Sequence, residues 1–222
     1  MGIILASSSP RRKELLEKAG VRFGICQAAV NEDVSLTDPE QLVKELACQK
    51  ACAAAAVIAK EPGLGNAKPD EGLLVIGADT VVVWEGKILG KPKDEEDAIE
   101  TLKLLQGKTH QVCTGVSVKA FGALPKTGKG LGEAQWNEKD SLQFEFCETT
   151  LVTFYPVSEE DILSYVRSGE PMDKAGSYGI QGSWGVFVKG IQGDYQNVVG
   201  LPVARLFYEC RLRGLDLRKG IS

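Results

Sequence analysis

The segment that follows the first apolar stretch of the chain brings serines and arginines to the predicted start of a helix. Ser9 is a good N-cap, and Pro10 suits the first helical position. A helix N-terminus already carries free N–H groups and partial positive charge, so Arg11 and Arg12 are unfavourable there unless an anion binds. With Ser7 close by, this spacing predicts an anion-binding site at the helix start.

A lysine breaks the apolar pattern of a long helix that is predicted to begin after its N-cap, Asp38. Helical spacing puts Lys50 on the same face as Val43, Ala47 and Ala54. Two interpretations are open. The side chain either extends past the apolar surface to water or its ammonium pairs with a negative group, because an unpaired buried charge is costly.

Asp79 interrupts the long apolar run LLVIGADTVVVW, which is typical of a buried strand. A carboxylate in a central strand costs free energy unless it is paired or bound to a metal. One interpretation is a hydrogen-bonded aspartate that closes the end of a strand. The other is a metal ligand or a general base at the C-terminal end of the strand.

Two further segments carry polar groups, one where proline restricts the backbone and one where glycines give it conformational freedom. Lys91 precedes Pro92, which favours an extended backbone, and it is either a site residue or a plain surface lysine. The segment MDKAGSYGIQG holds Asp173, Lys174 and Gln181 among three glycines. Glycines let a backbone approach a ligand closely, although an ordinary cluster of turns has the same composition.

These polar residues fall into two sets of opposite charge. The acidic loop NEDVS adds two carboxylates to the one in the apolar strand. A polyphosphate that carries a divalent cation would explain both sets, because cations bind phosphate oxygens and carboxylates hold the metal. The cations are Arg11, Arg12, Lys50, Lys91 and Lys174, and the carboxylates are Glu32, Asp33 and Asp79.

Strand-like apolar runs alternate with helical patterns along the chain, and both hairpins and crossovers are indicated. The sequence therefore predicts an α/β fold in which helices flank a mixed central β-sheet with a substrate cleft. The predicted strands cover residues 2–6, 23–30, 73–84, 110–121 and 142–156.

The glycine-rich segment 122–141 carries few apolar residues and is predicted to be an exposed, hairpin-like excursion. No linker divides the chain. We therefore expect residues 1–222 to form a single domain, and a division into two lobes around a cleft stays open.

Composition narrows the possible functions. The 222 residues are 43% hydrophobic and 25% charged, which is typical of a globular protein. The net charge of −4 argues against a nucleic-acid partner, since nucleic-acid binders usually have a basic excess. No segment reaches the ~18 apolar residues that a membrane span needs, and no signal peptide is recognisable. The six cysteines are dispersed and contain no CxxC, so we expect a reduced, cytoplasmic protein without a membrane partner.

Several familiar catalytic devices do not fit the sequence. A single histidine, His110, excludes a multi-histidine metal site and leaves only one candidate for a Ser-His-Asp triad. No GxSxG elbow is present, and the TGKG of residues 127–130 does not satisfy the GxxxxGK[ST] pattern of a P-loop.

Long motifs follow one another over nearly the whole chain: LASSSPRRKELLEKAG, LACQKA, GADTVVVWEGKILGKP, DAIETLKLLQGKTHQVCTGV and SGEPMDKAGSYGIQG. In these motifs the chain resembles the Maf family, nucleoside triphosphate pyrophosphatases once described as septum-formation inhibitors. The resemblance implies a Maf/ITPase-like sheet with a cleft, a homodimer, and a requirement for Mg²⁺ or Mn²⁺. It also implies a reaction that splits a nucleoside triphosphate into the monophosphate and pyrophosphate.

The resemblance also implies roles for the singled-out residues. The start of the helix would bind the phosphates, and lysines would neutralise their charge. Lys174 belongs to the implied substrate-binding residues. Asp79 would be the base that activates water and would bind the metal. Glu32, rather than Asp33, is favoured as its second acidic ligand. The phosphate-binding residues implied are Ser7, Arg11, Arg12, Lys50 and Lys91.

Three positions are similar to the branch of the family that acts on dTTP and UTP: Arg12, Thr80 and Gln181. Modified pyrimidine nucleotides are a further substrate class for this branch. Two other functions are compatible with the sequence. One is a nucleotide-binding regulator of cell division without catalysis, and the other is a purine-directed pyrophosphatase of the ITP/XTP type.

Overall fold

The computed structural model of the protein describes residues 1–30, 34–60, 72–121 and 142–218. Within these ranges, strands and helices alternate along the chain. The strands are β1 Gly2–Ala6, β2 Gly24–Ile25, β3 Leu73–Trp84, β4 Lys87–Leu89, β5 Thr109–Phe121, β6 Leu142–Phe154 and β7 Val188–Gln192. The helices are α1 Pro10–Lys18, α2 Pro39–Lys60, α3 Glu95–Leu105, α4 Glu159–Arg167, α5 Tyr195–Val199 and α6 Val203–Leu212. Three short 3₁₀ turns, Glu170–Asp173, Ala175–Ser177 and Ser183–Phe187, lie between α4 and β7.

The described strands form one mixed sheet in the order β2-β1-β3-β5-β6-β7, and β4 pairs with the distal part of β3. β1 is parallel to β2 and β3, whereas β3, β5, β6 and β7 are successively antiparallel. The predicted mixed α/β sheet flanked by helices is therefore confirmed. A tight turn through Glu85 and Gly86, both with positive φ, joins β3 to β4.

Helix α2 lies directly on one face of the sheet. Its N-terminus is capped as predicted, since the Gln41 N–H donates to Asp38 Oδ1 at 2.7 Å. Two glycines permit the close approach: a Cβ at Gly77 would lie 2.1 Å from the Ala47 carbonyl oxygen, and one at Gly115 would lie 2.3 Å from that of Val43. This contact fixes the short distance between the backbone of α2 and the sheet, and with it the position of the α2 side chains relative to the strands.

The opposite face of the sheet carries two apolar clusters. Helices α1 and α6 pack over β1 and the first half of β3, where Leu16 and Leu206 are fully buried. Helices α3 and α4 pack over the second half of β3 and the start of β5, around Leu102 and Trp184. The boundary between the two clusters falls near residue 80 of β3.

The edge of β3 is open at that boundary. The pairing of β1 with β3 ends at Gly77, and the pairing of β4 with β3 begins at Val82. Among the described residues, 78–81 therefore have a strand partner on the β5 side only. Because side chains alternate along a strand, Asp79 points to the α2 face and Thr80 to the opposite face. A molecule that binds at this gap can therefore contact side chains on both faces of the sheet.

The second predicted strand is wrong in most of its length. Residues 23–30 read as a strand, but only Gly24 and Ile25 pair, with Ile4 and Leu5 of β1. β1 ends at Ala6, so the later residues have no strand to pair with, and residues 27–30 line a cleft instead.

Two other sequence-based points are not decided by the described structure. The excursion predicted at 122–141 lies outside the described residues, and the single-domain organisation stays a prediction. Within the described residues, no helix is both long and apolar enough to cross a membrane.

Candidate active site

A cleft of about 870 Å³ opens beside the gap in the edge of β3. Its walls come from the start of α1, one face of α2, the segment after β4 and the residues between α4 and β7. The candidate site residues that line this one cleft are Ser7, Arg11, Arg12, Lys50, Asp79, Thr80, Lys91, Lys174 and Gln181, and Asp173 lines it as well. The two remaining candidates, Glu32 and Asp33, lie outside the described residues.

The start of α1 is built as predicted, with Ser9 at the N-cap and Pro10 in the first turn. The Ser7 side chain is nearly buried, and its hydroxyl accepts from the Ser9 N–H and from Arg12 Nη1, both at 3.2 Å. These bonds hold the loop before α1 in a tight turn. The positive end of the helix therefore faces the cleft.

Arg12 joins three separate parts of the chain. Its Nε donates to the Gly200 carbonyl at 2.8 Å, and its Nη2 donates to Thr80 Oγ1 at 3.0 Å. Thr80 is in turn hydrogen-bonded to Thr114 at 2.9 Å, and Thr114 donates to the Asn197 carbonyl at 3.1 Å. Arg12 thus fixes the start of α1 against β3 and the end of α5, in addition to lining the cleft.

Lys50 and Asp79 form an ion pair at the back of the cleft. Lys50 Nζ lies 2.6 Å from Asp79 Oδ1, and the two side chains are only 17% and 14% exposed. Of the two interpretations of Lys50, pairing with a negative group is therefore confirmed. Asp79 is paired, as its structural interpretation expects, and its place in the wall of a cleft leaves the metal-ligand and general-base interpretation open.

Asp173 bridges the two sides of the cleft mouth. Its carboxylate accepts from Arg11 Nη1 at 2.9 Å and from Lys174 Nζ at 2.6 Å. Burial alone would raise the pKa of Asp173, but the hydrogen bonds and charges of Lys174 and Arg11 outweigh it and lower the pKa. One anionic group can therefore contact both cations at once, and a phosphate at this point would compete with Asp173.

Lys91, which follows β4, and Gln181, which precedes β7, are exposed side chains in the cleft wall. Neither makes a hydrogen bond or an ion pair with another residue of the described ranges. Both side chains are therefore available to a bound molecule, Lys91 through a charge and Gln181 through an amide donor and acceptor.

A family profile described as "Maf-like protein" matches residues 2–211 of this chain. The chain belongs to the Maf family. A dTTP/UTP pyrophosphatase from Agathobacter rectalis is 48% identical over 216 residues, covering 97% of this chain and 98% of that protein. A dTTP/UTP pyrophosphatase from Bacillus thuringiensis subsp. konkukian is 46% identical over 216 residues, covering 97% of each chain. A solved structure of a nucleoside-triphosphatase / dITP/XTP pyrophosphatase from Mycobacterium abscessus shares 15% identity with a TM-score of 0.26, covering 68% of this chain and 73% of that one, a likeness too low to bear on fold or substrate.

The donor set of this Maf-family cleft fits a hard divalent cation. Its described carboxylate at the open edge of β3 is Asp79, and carboxylate oxygens suit Mg²⁺ and Mn²⁺. Within the described ranges, no group of three or more His, Cys, Asp or Glu side chains could hold a metal. Mg²⁺ commonly takes one or two protein carboxylates and completes its shell with substrate phosphates and water, so a single described carboxylate is compatible with such an ion.

Sequence reasoning missed a group of residues under the Gln181 loop of this Maf-family chain. Glu170 and Tyr165 hold that loop by hydrogen bonds to its backbone. In the sequence, Tyr165 reads as an apolar-face residue of α4 and Glu170 as a solvated residue before Pro171. The spacing of Gly179 and Gly182 was the available signal, because glycines are needed where a side chain crosses close to a backbone.

Proposed function

We propose that this protein is a dTTP/UTP pyrophosphatase, which hydrolyses the nucleoside triphosphate to the monophosphate and pyrophosphate. One observation carries the proposal: a partly buried carboxylate, Asp79, stands at an open strand edge with cations along the same cleft. The names of relatives that are 46–48% identical over 97% of the chain support the substrate class.

The cations of the cleft would bind the triphosphate. Arg11 belongs to the start of α1, Lys50 to α2, Lys91 to the segment after β4 and Lys174 to the segment between α4 and β7, and all four line the cleft. A chain of phosphates carries several negative charges, so it can replace Asp173 between Arg11 and Lys174. The interactions are charge-assisted and therefore among the stronger hydrogen bonds.

Asp79 would act as the general base. A water oxygen attacks the α-phosphorus and its proton passes to the Asp79 carboxylate. The bond between the α-phosphorus and the α–β bridging oxygen breaks, and pyrophosphate leaves with that oxygen. Lys50 lies 2.6 Å from this carboxylate, so it can orient Asp79 before substrate arrives and can stabilise negative charge on the phosphates afterwards.

We propose a bound Mg²⁺ or Mn²⁺ as the cofactor, held by Asp79 and by Glu32. Such an ion, when bound, neutralises phosphate charge and polarises a phosphoryl oxygen. The side chains of the chain itself then position the phosphates, exclude competing water and accept the proton.

Base selection is proposed to rest on Gln181, with Arg12 and Thr80 shaping the wall of the cleft behind the phosphates. A thymine or uracil edge offers carbonyl acceptors and an N3–H donor, which an amide group can match. Cytosine reverses part of this pattern, so it would leave a polar group unpaired.

The proposed function is tested by product analysis over a panel of nucleotides with Mg²⁺ or Mn²⁺. We expect monophosphate and pyrophosphate from dTTP and UTP, with kcat/KM well above the values for CTP, ATP, GTP, ITP and XTP. Diphosphate with orthophosphate would refute the bond assignment. A preference for ITP and XTP would favour the purine-directed alternative, and binding without turnover would favour a non-catalytic regulator.

The finer properties of the protein are also proposals. We propose a homodimer that works in the cytoplasm on free nucleotides, as the family resemblance and the dispersed cysteines suggest. Sedimentation equilibrium of the purified chain measures the first property, and fractionation of the native host measures the second. A monomer at micromolar concentration would contradict the dimer.

A further inference from the structure

The segment that carries Gln181 is anchored at both of its ends. Tyr165 of α4 accepts from the Gly179 N–H through its hydroxyl oxygen at 3.1 Å. At the other end, one oxygen of Glu170 accepts from the Ser183 N–H at 3.1 Å and from the Ser183 hydroxyl at 2.7 Å. Residues 179–183 therefore span two fixed points, and Gln181 stands midway between them.

The two anchors are linked to each other. The Tyr165 hydroxyl donates to the second Glu170 oxygen at 3.1 Å, so one carboxylate and one phenol bind both ends of the loop. Burial raises the pKa of Tyr165, which keeps the phenol protonated and able to donate. For Glu170, burial acts to raise the pKa, but the bonds from Ser183 and Tyr165 and the charge of Lys174 lower it, so the carboxylate stays ionised.

The loop backbone lies so close to the Glu170 carboxylate that a side chain at Gly182 would not fit between them. A Cβ at Gly182 would come within 1.8 Å of Glu170 Oε1, and one at Gly179 would come within 2.7 Å of Lys174 Cε. Tyr165 is itself rigid, because its ring is buried and packs on the fully buried Trp184 with ring centroids 4.9 Å apart. Trp184 directly follows Ser183, so the loop runs straight into the apolar core.

Gln181 has none of this support through its own side chain. It is exposed in the cleft wall and makes no hydrogen bond with the other described residues. Its position relative to a bound base is therefore set by the backbone of 179–183. Within the loop, the Gly182 N–H donates to the Gly179 carbonyl at 3.1 Å, and the side-chain bonds that hold the loop in place are those of Glu170 and Tyr165.

We propose that Glu170 is a positioning residue for base selection: with Tyr165, its carboxylate fixes the 179–183 loop so that Gln181 meets the base at one distance. This inference rests on the proposed function, in which Gln181 contacts the base. Discrimination between bases requires that a wrong base leave a polar group unpaired. A loop that could shift would let Gln181 adapt to cytosine and would remove that penalty.

The experiment compares kcat and KM for dTTP and CTP in the wild type, Glu170→Ala, Glu170→Gln and Tyr165→Phe. We expect Glu170→Ala to raise the KM for dTTP and to reduce the dTTP/CTP ratio of kcat/KM about tenfold, because one buried polar mismatch is worth ~1–3 kcal/mol. The kcat for dTTP at saturation should change much less. Among the described residues, no phosphate-binding side chain donates to the Glu170 carboxylate, and Lys174 Nζ donates to the Glu170 backbone carbonyl, which Glu170→Ala keeps.

Two features separate this role from a general structural one. Glu170→Gln keeps an oxygen for Ser183 and should restore part of the selectivity lost in Glu170→Ala. Because Glu170 and Tyr165 act through one link, the double variant Tyr165→Phe/Glu170→Ala should be no less selective than the worse single variant. Glu160→Gln, an exposed glutamate of α4, is the matched control and should leave selectivity unchanged.

The outcomes distinguish the two proposals. A wild type that does not hydrolyse dTTP or UTP would overturn the proposed function itself. A selective wild type whose Gln181→Glu variant loses selectivity, while folded Glu170 and Tyr165 variants keep it, would overturn the positioning role alone. If Glu170→Ala fails to fold, the folded Glu170→Gln and Tyr165→Phe variants decide, and unchanged dTTP/CTP ratios in both would reject the inference.

Discussion

Lys50 Nζ and Asp79 Oδ1 lie 2.6 Å apart although 29 residues separate them in sequence. The lysine comes from α2, the aspartate from β3, and both side chains are more than four-fifths buried. Gly77 and Gly115 make this contact possible, because their missing Cβ atoms let α2 lie on the sheet. Each charge offsets the cost of burying the other in the cleft wall, and the first two predictions concern what happens when one is removed.

Asp79→Asn should lower kcat by at least ~100-fold, the usual scale for the loss of a general base. The amide keeps the shape of the carboxylate but cannot take a proton from water. Pyrophosphate release at saturating dTTP measures the effect, and circular dichroism checks the fold. Glu100→Gln, an exposed change on α3, should leave turnover unaffected. Near-normal turnover by folded Asp79→Asn would remove Asp79 from the catalytic role.

Lys50→Met should reduce activity strongly and should also cost about 1 kcal/mol of unfolding free energy, because it leaves a partly buried carboxylate without this partner. The double variant Lys50→Met/Asp79→Asn should recover that stability but no activity. Urea denaturation and dTTP hydrolysis measure the two quantities. Lys60→Met, on the exposed end of α2, is the control. Activity retained per folded molecule would show that Lys50 does not contact substrate.

Gln181→Glu should lower kcat/KM for dTTP and UTP about tenfold or more, because the variant loses an amide donor and gains a charge that a carbonyl-rich base edge cannot pair. The measurement is kcat/KM for dTTP, UTP, CTP and GTP. Gln192→Glu makes the same chemical change on β7, away from the cleft lining, and should have no effect. Equal values for all four nucleotides in the wild type, or an indifferent Gln181→Glu, would mean that Gln181 does not select the base.

His110 should make the fold less stable as the pH falls from about 6.5 to 4. Burial lowers the pKa of His110 to about 4, and its Nε2 lies 2.9 Å from the Tyr178 hydroxyl. Above pH 6.5 the imidazole is neutral in both states. Below it the unfolded chain binds a proton that the folded chain does not, which removes up to about 3 kcal/mol at ~1.4 kcal/mol per pKa unit.

Urea denaturation between pH 7 and pH 4.5 measures this loss of unfolding free energy. His110→Gln retains a hydrogen-bonding group for Tyr178 but does not titrate, so its stability should fall less steeply over the same interval. Carboxylates titrate in both proteins and cancel in the comparison. Parallel curves for the two proteins would show that His110 is not the titrating group.

Removal of divalent metal should abolish turnover and leave the fold intact, since the Lys50–Asp79 pair and the core do not require an ion. The measurement is dTTP hydrolysis after chelation with EDTA, followed by addition of Mg²⁺, Mn²⁺ or Ca²⁺. Mg²⁺ or Mn²⁺ should restore activity, while the larger Ca²⁺ should support less. Full activity in EDTA would contradict the proposed cofactor.

Local patterns predicted most of the elements that build the cleft. The Asp38 cap and the apolar face of α2, the start of α1, and the long strands β3, β5 and β6 are found where the sequence placed them. Each of these signals is carried by residues within a few positions of one another. The predicted strand 23–30 is wrong beyond Ile25, because residues 27–30 line the wall of a cleft and do not pair with β1.

By itself the sequence determined which residue types would be chemically active, and the resemblance of its motifs indicated the family. Tertiary structure decided which of those residues meet. The sequence left two environments open for Lys50, and the packing of α2 on β3 decides between them. In the sequence Arg12 has no evident protein partner, whereas in the structure its guanidinium donates to Gly200 and to Thr80. Glu170 carried no signal of its own beyond the nearby glycine spacing, since its partner Tyr165 comes from α4 and its partner Ser183 from the segment before β7. Hydrogen bonds and ion pairs depend on distance and direction between groups far apart in the chain, and only the packed sheet and helices fix these.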